Sequence, residues 1–135
     1  MAGLNDARKA IYDKFVTDWA DETIFDFDNE DFEPPNGDTP WVRLVVRNRL
    51  GRQESLGAIG QRKFLREAAV MTQVFVPLDK GLSEADRLAT KVRDIFEGIR
   101  LSGLWFFTSD IIEIGPDGKF YQYNVECVFN YEETK

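Results

Sequence analysis

The stretch "TQVFVPLDKGLSEADRLATKVRDIF", Thr72 to Phe96, reads as a strand, a proline break and an amphipathic helix. The helix is simple. Ala85, Leu88, Ala89, Val92, Ile95, Phe96 and Ile99 recur at three- and four-residue spacing. Ser83 stands at the N-cap position with Asp86 three residues on, the spacing of a capping box, and Gly98 is placed to end the helix. The strand raises a question. Successive strand residues point to opposite faces, so Val74, Phe75 and Val76 put large apolar groups on both. Something must cover both faces in a chain of only 135 residues.

Outward from this stretch, a first helix is expected from Asn5 to about Trp19, with Leu4, Ala7, Ile11, Phe15 and Trp19 on one stripe. "DETIFDFDNEDFEPPNGDTP" holds three prolines and a glycine and reads as a loop with room for one short strand. Ile24, Phe25, Phe27 and Phe32 among its acids suggest a segment pinned over the domain. "WVRLVVRNR" alternates, with Val42, Leu44 and Val46 on one face and Arg43, Arg47 and Arg49 on the other. A second strand starts at Lys63 or Ala69 and ends at Val76. After the second helix come "LWFFTSDIIEI" and "KFYQYNVECVFNY", joined by "GPDG". The last strand places Tyr121, Tyr123, Val125, Cys127, Phe129 and Tyr131 on one face. The expected fold is a single α+β domain over 1–135 in αββαββ order. Its four-stranded, mostly antiparallel sheet carries two packed helices and a long loop between strands one and two.

Composition sets the class. With 43% hydrophobic and 30% charged residues the chain is an ordinary globular protein, and no run is long enough for a membrane helix. Asp6, Arg8 and Lys9 stand where a signal peptide would be apolar, which places the expected chain in the cytoplasm. Histidine is absent, which removes most hydrolase and metalloenzyme designs. The net charge of -7 is unevenly spread. Asp18 to Asp38 holds nine acids and no base, while Trp41 to Glu67 holds seven bases and two acids, a local +5. Such segregation implies self-complementary association or a basic rim, or else pairing of the two segments within one fold.

No motif carries chemistry. "DFDNEDF" offers Asp26, Asp28 and Glu30 at alternate positions, but a calcium loop needs glycine where Asp31 stands and glutamate where Gly37 stands. "GAIG", Gly57 to Gly60, has the form of a nucleic-acid-clamping loop but joins two strands rather than two helices. Cys127 alternates with Val125 and Phe129 and reads as a buried thiol. Ser55, Ser83, Ser102 and Ser109 lack any nucleophile-elbow context. The expectation is a protein with no enzymatic activity, no metal and no cofactor.

The segments "TPWVRLVV", "LGAIGQRKF", "VFVPLDKG", "ADRLATKVRDIFEG" and "YQYNVECVFNY" resemble a small family of long-tailed bacteriophages and prophages, similar to the lambda-type tail terminators. The resemblance spans Ala7 to Tyr131 and departs at "REAA", Arg66 to Ala69, where a glycine is expected. It implies a structural role in virion assembly: a homo-hexameric ring that caps the tail tube, fixes tail length and then receives the head's connector or neck protein. DNA passes through without sequence-specific binding, and no membrane is involved. The protein would assemble in the host cytoplasm and end at the neck end of the virion tail. Two other readings stay open, another neck or head–tail joining protein and a small nucleic-acid-binding domain using the basic 41–67 segment.

On this resemblance, Arg47, Arg49, Leu50, Arg52, Leu56, Ile59, Arg62, Lys63 and Arg66 are candidates for the tube or ring interface. Val74, Phe75, Val76, Asp26, Asp28 and Glu30 are candidates for subunit contacts. A neighbouring subunit is then the preferred cover for the second face of the strand at Phe75, with "TIFDFDNEDF" as the alternative. "LGRQESLGAIGQ", Leu50 to Gln61, is expected to be a loop that projects and orders only against a partner, with Leu56 and Ile59 as anchors.

Overall fold

The computed structural model describes residues 3–135. Helix α1 spans Leu4–Trp19 and α2 spans Ser83–Phe96. Six strands form one sheet: β1 Ile24–Phe27, β2 Trp41–Gln53, β3 Lys63–Pro77, β4 Arg100–Leu101, β5 Leu104–Asp117 and β6 Phe120–Thr134. Their order is β1-β2-β3-β6-β5-β4, with β1 parallel to β2 and all other neighbours antiparallel. The sheet curls into a half-barrel and the protein is mainly β. The expected four-stranded α+β sheet is therefore wrong. Two strands were missing from it: β1, hidden in the acidic segment, and β4, only two residues long.

β1 forms for a reason the composition concealed. Phe25 and Phe27 turn toward α1, where Phe27 stacks on Tyr12 at 3.9 Å and Phe25 meets Phe15 edge-on. Asp26 turns the other way and accepts a hydrogen bond from Arg43 Nε at 2.9 Å. The acids are thus one face of an alternating strand, neutralised by its neighbour. α1 buries Ala7, Ile11, Phe15 and Trp19, and ends where Ala20 takes the left-handed conformation. α2 buries its expected stripe. Ser83 is the first helical residue, not the cap, and Asp86 accepts a hydrogen bond from Tyr123 instead of closing a capping box.

Both helix stripes meet Val42, Leu44, Val46, Val70, Val74, Val76 and the expected face of β6 in one core. β3 lies between β2 and β6, so it is an interior strand. Its second face is covered from within the chain. Phe75 stacks on Trp41 at 4.3 Å, Phe120 approaches edge-on at 6.1 Å, and Phe32 of the acidic segment packs onto Trp41 at 5.1 Å. The expected loop from Leu50 to Gln61 is shorter than foreseen, because Leu50 to Gln53 continue β2 past a bulge at Arg49. The hairpin closes through Glu54 N–H donating to Lys63 O at 2.7 Å. Gly51 is no breaker: a Cβ there would strike the Arg66 side chain, which crosses on its way to Glu133.

Candidate interaction surfaces

The sequence candidates fall into three groups. Val74 and Val76 lie in the main core and Phe75 is 5% exposed in the aromatic cluster, so none of the three offers a free surface for a neighbouring subunit. The acidic candidates divide. Asp26 is buried against Arg43, Asp28 accepts from Arg47 at 2.7 Å, and Glu30 is exposed beside Arg8, Tyr12 and Arg47 in an open groove of about 680 Å³. The acidic and basic segments therefore do pair within one fold.

The basic candidates share one extension of the sheet, the outer halves of β2 and β3, where every residue from Arg47 to Gln53 is exposed. Most are already engaged. Arg49, pushed out by the bulge, donates to Glu126 at 2.9 Å, Arg52 to Glu54 at 3.2 Å, and Arg66 to Glu133 at 3.0 Å. Arg62 Nε donates to the Lys135 carbonyl at 3.2 Å, while Lys63 is exposed at the start of β3. Around Phe64 the guanidiniums of Arg62 and Arg66 and the ammonium of Lys135 lie 5.6, 5.2 and 5.5 Å from the ring centroid. At the tip, Leu56 is 94% exposed and Ile59 is 87% exposed, and Gln61 N–H donating to Ala58 O closes the turn that holds Ile59. Leu50, at 67%, is exposed along the same extension.

Sequence reasoning missed a second apolar region. Phe107, Ile112 and Ile114 of β5 are exposed on large side chains. The signal was present: "FF" and "II" put apolar groups on both faces of that strand, as "VFV" does in β3. It also missed a half-buried contact in which the Tyr123 hydroxyl lies 2.8 Å from Asp86 Oδ1 and 3.0 Å from Glu113 Oε1. Burial and these two carboxylates push the tyrosine above its ordinary pKa, so it stays a donor whose one proton goes to Asp86 of α2 or Glu113 of β5. Cys127 is buried with Ser109 Oγ at 3.0 Å, and desolvation pushes its thiol up to about 11. A thiol held in that form is a poor nucleophile. Among the described residues no helix is long and apolar enough to cross a membrane.

What the fold and these surfaces define is a class: a helix-backed mixed sheet that curls without closing, with an exposed hairpin at one end. No family model and no curated protein sequence matches the chain. Fourteen solved chains match it, one of them at 16% identity with a TM-score of 0.68, covering 98% of this chain and 98% of its own. At that identity the likeness shows the fold alone.

Proposed function

We propose that the chain is a tail terminator, a structural virion-assembly protein whose copies form a hexameric ring on the end of the tail tube. The ring stops further addition of tube subunits, so tail length is fixed, and its opposite face receives the head's connector. The protein then resides at the neck end of the virion tail. The observation that carries this reading is the β2–β3 hairpin. It extends a sheet that does not close on itself and ends in Leu56 and Ile59, two apolar side chains held almost fully in solvent. A monomeric protein gains nothing from such an arm, whereas a ring or tube end supplies the surface that buries it. The choice of a tail-terminator ring rests on the resemblance in sequence.

The nucleic-acid reading loses support from the same geometry. Of the seven bases between Trp41 and Glu67, Arg43, Arg47, Arg49, Arg52 and Arg66 each hold a carboxylate of their own chain. These carboxylates lower the net positive charge that the segment presents to a phosphate, so DNA that passes the ring should be held weakly and released by moderate salt. The test is sedimentation over a range of concentrations, followed by electron microscopy of mixtures with tail tubes. Six-membered rings seated on tube ends are expected. A stable dimer that never decorates tubes overturns the reading, and rings that seat only on the head connector transfer it to another neck protein.

A further inference from the structure

We infer that copies of this chain associate head to tail through two open strand edges, the Arg47–Gln53 edge of β2 in one copy against the Asp110–Asp117 edge of β5 in the next. The inference rests on the ring reading and names the contact that builds the ring.

Each edge is covered for part of its length and then left open. On β2, the parallel partner β1 stops at Leu44. Asp28 N–H takes the Leu44 carbonyl and the Arg8 guanidinium takes that of Val46, both at 3.1 Å. On β5, β4 pairs only with Leu104 and Trp105, and the backbone of Gly98 and Ile99 meets Phe107 and Phe106. The Glu97 carboxylate then accepts the Ser109 N–H at 2.9 Å. Beyond these points no strand among the described residues occupies either edge. A row of unpaired N–H and C=O groups is a template for another chain.

The two open runs are also complementary in charge. "RNRLGRQ" carries Arg47, Arg49 and Arg52 and no acid; "DIIEIGPD" carries Asp110, Glu113 and Asp117 and no base. Each brings exposed apolar groups, Leu50 on one side and Ile112 and Ile114 on the other. Like edges repel, so the contact joins unlike edges, and a heterologous contact generates a ring when its rotation closes. The curl of the sheet supplies a constant turn per copy. The intrachain partners of the three arginines are surface pairs, which are individually weak and can share a guanidinium with an incoming carboxylate. Pro116 and the bulge between Glu113 and Gly115 interrupt the β5 edge, which limits pairing with arbitrary strands.

A charge swap tests this on the full chain. One variant carries Arg47→Glu and Arg52→Glu, the other Asp110→Lys and Asp117→Lys, and both are checked for an unchanged circular-dichroism melt. Each alone faces like charge with like, so its assembly midpoint should move to at least about tenfold higher protein concentration. An equimolar mixture restores opposite charges at every contact and should assemble as the wild type does. A control of equal net charge, Lys9→Glu with Lys80→Glu, should assemble normally. If the wild type forms rings and the single variants form them equally well, or the mixture gives no rescue, the edge assignment is wrong while the ring stands. If the wild type forms no ring even on tube ends, the ring reading itself has failed.

Discussion

Replacing Phe75 by alanine separates two accounts of the strand that poses the fold's central question. If the second face of β3 were a subunit contact, Phe75 would matter for assembly and little for the monomer. In the structure it is 5% exposed, stacked on Trp41 with 13° between the planes and edge-on to Phe120. Burial of a phenylalanine side chain contributes about 1.5–3 kcal/mol. Each aromatic pair adds about 0.5–1.5 kcal/mol beyond the area. The expected loss is about 3 kcal/mol, at the low end for a phenylalanine truncation. For a domain of this length that lowers the melting temperature by roughly 10 °C. Urea unfolding of dilute, unassembled protein, followed by circular dichroism and tryptophan fluorescence, measures it directly. A variant within about 0.5 kcal/mol of the wild type that nevertheless fails to assemble would refute the reasoning, since that is the behaviour of a surface contact.

Replacing Glu54 to Arg62 by a short glycine-serine turn should leave the melting temperature unchanged, because no core side chain lies there, yet abolish tail-length control in assembly assays. Arg43→Met strands the buried Asp26 carboxylate and should cost about 2 kcal/mol in chemical unfolding, with most of it recovered when Asp26→Asn is added. Cys127 should resist thiol reagents at pH 8 in the native protein and react at once in urea. Its folded pKa of about 11 lies above the ordinary 9.0, so its contribution is complete below pH 9 and declines as pH rises to 11. The decline amounts to about 3 kcal/mol, and Cys127→Ala should remove it from a comparison of stability against pH.

Much of the fold was legible because its long elements state their period plainly. The stripes of α1 and α2 and the alternation of β6 are unbroken, and all the residues assigned to their buried faces except the half-buried Leu4 are buried or packed against the core. The failures share one cause, which is that a residue's local meaning depended on a distant partner. Asp26 and Asp28 marked a solvated loop until Arg43 and Arg47 stood beside them, turning the segment into a strand. Gly51 marked a flexible connection, yet it continues β2 in register with Arg66 of β3. Asp86 fitted a capping box, but the Tyr123 hydroxyl from the last strand claimed it. The aromatic seal over Phe75 draws on positions 32, 41 and 120, which no local period links. For the candidate surfaces, "VFV" and "II" gave the same two-faced signal, and only tertiary structure shows that the first is sealed and the second exposed.

The charge segregation then takes a sharper form. Read along the chain, it placed nine acids against seven bases and left self-association and internal pairing as alternatives. In the structure, position in the sheet decides which charges pair internally. Where β1 lies along β2, Asp26 and Arg43 are adjacent and satisfy each other, so Asp26 is no longer available to a neighbour, and just beyond β1 the exposed pair of Asp28 and Arg47 is a weaker one. Where β1 ends, β2 continues with its arginines on an unpaired edge, and the acids that match them lie three strands away on β5. A pair of surfaces that complement each other but sit at opposite sides of one curled sheet cannot meet within a single chain. They can meet only between copies, which is the head-to-tail contact we propose.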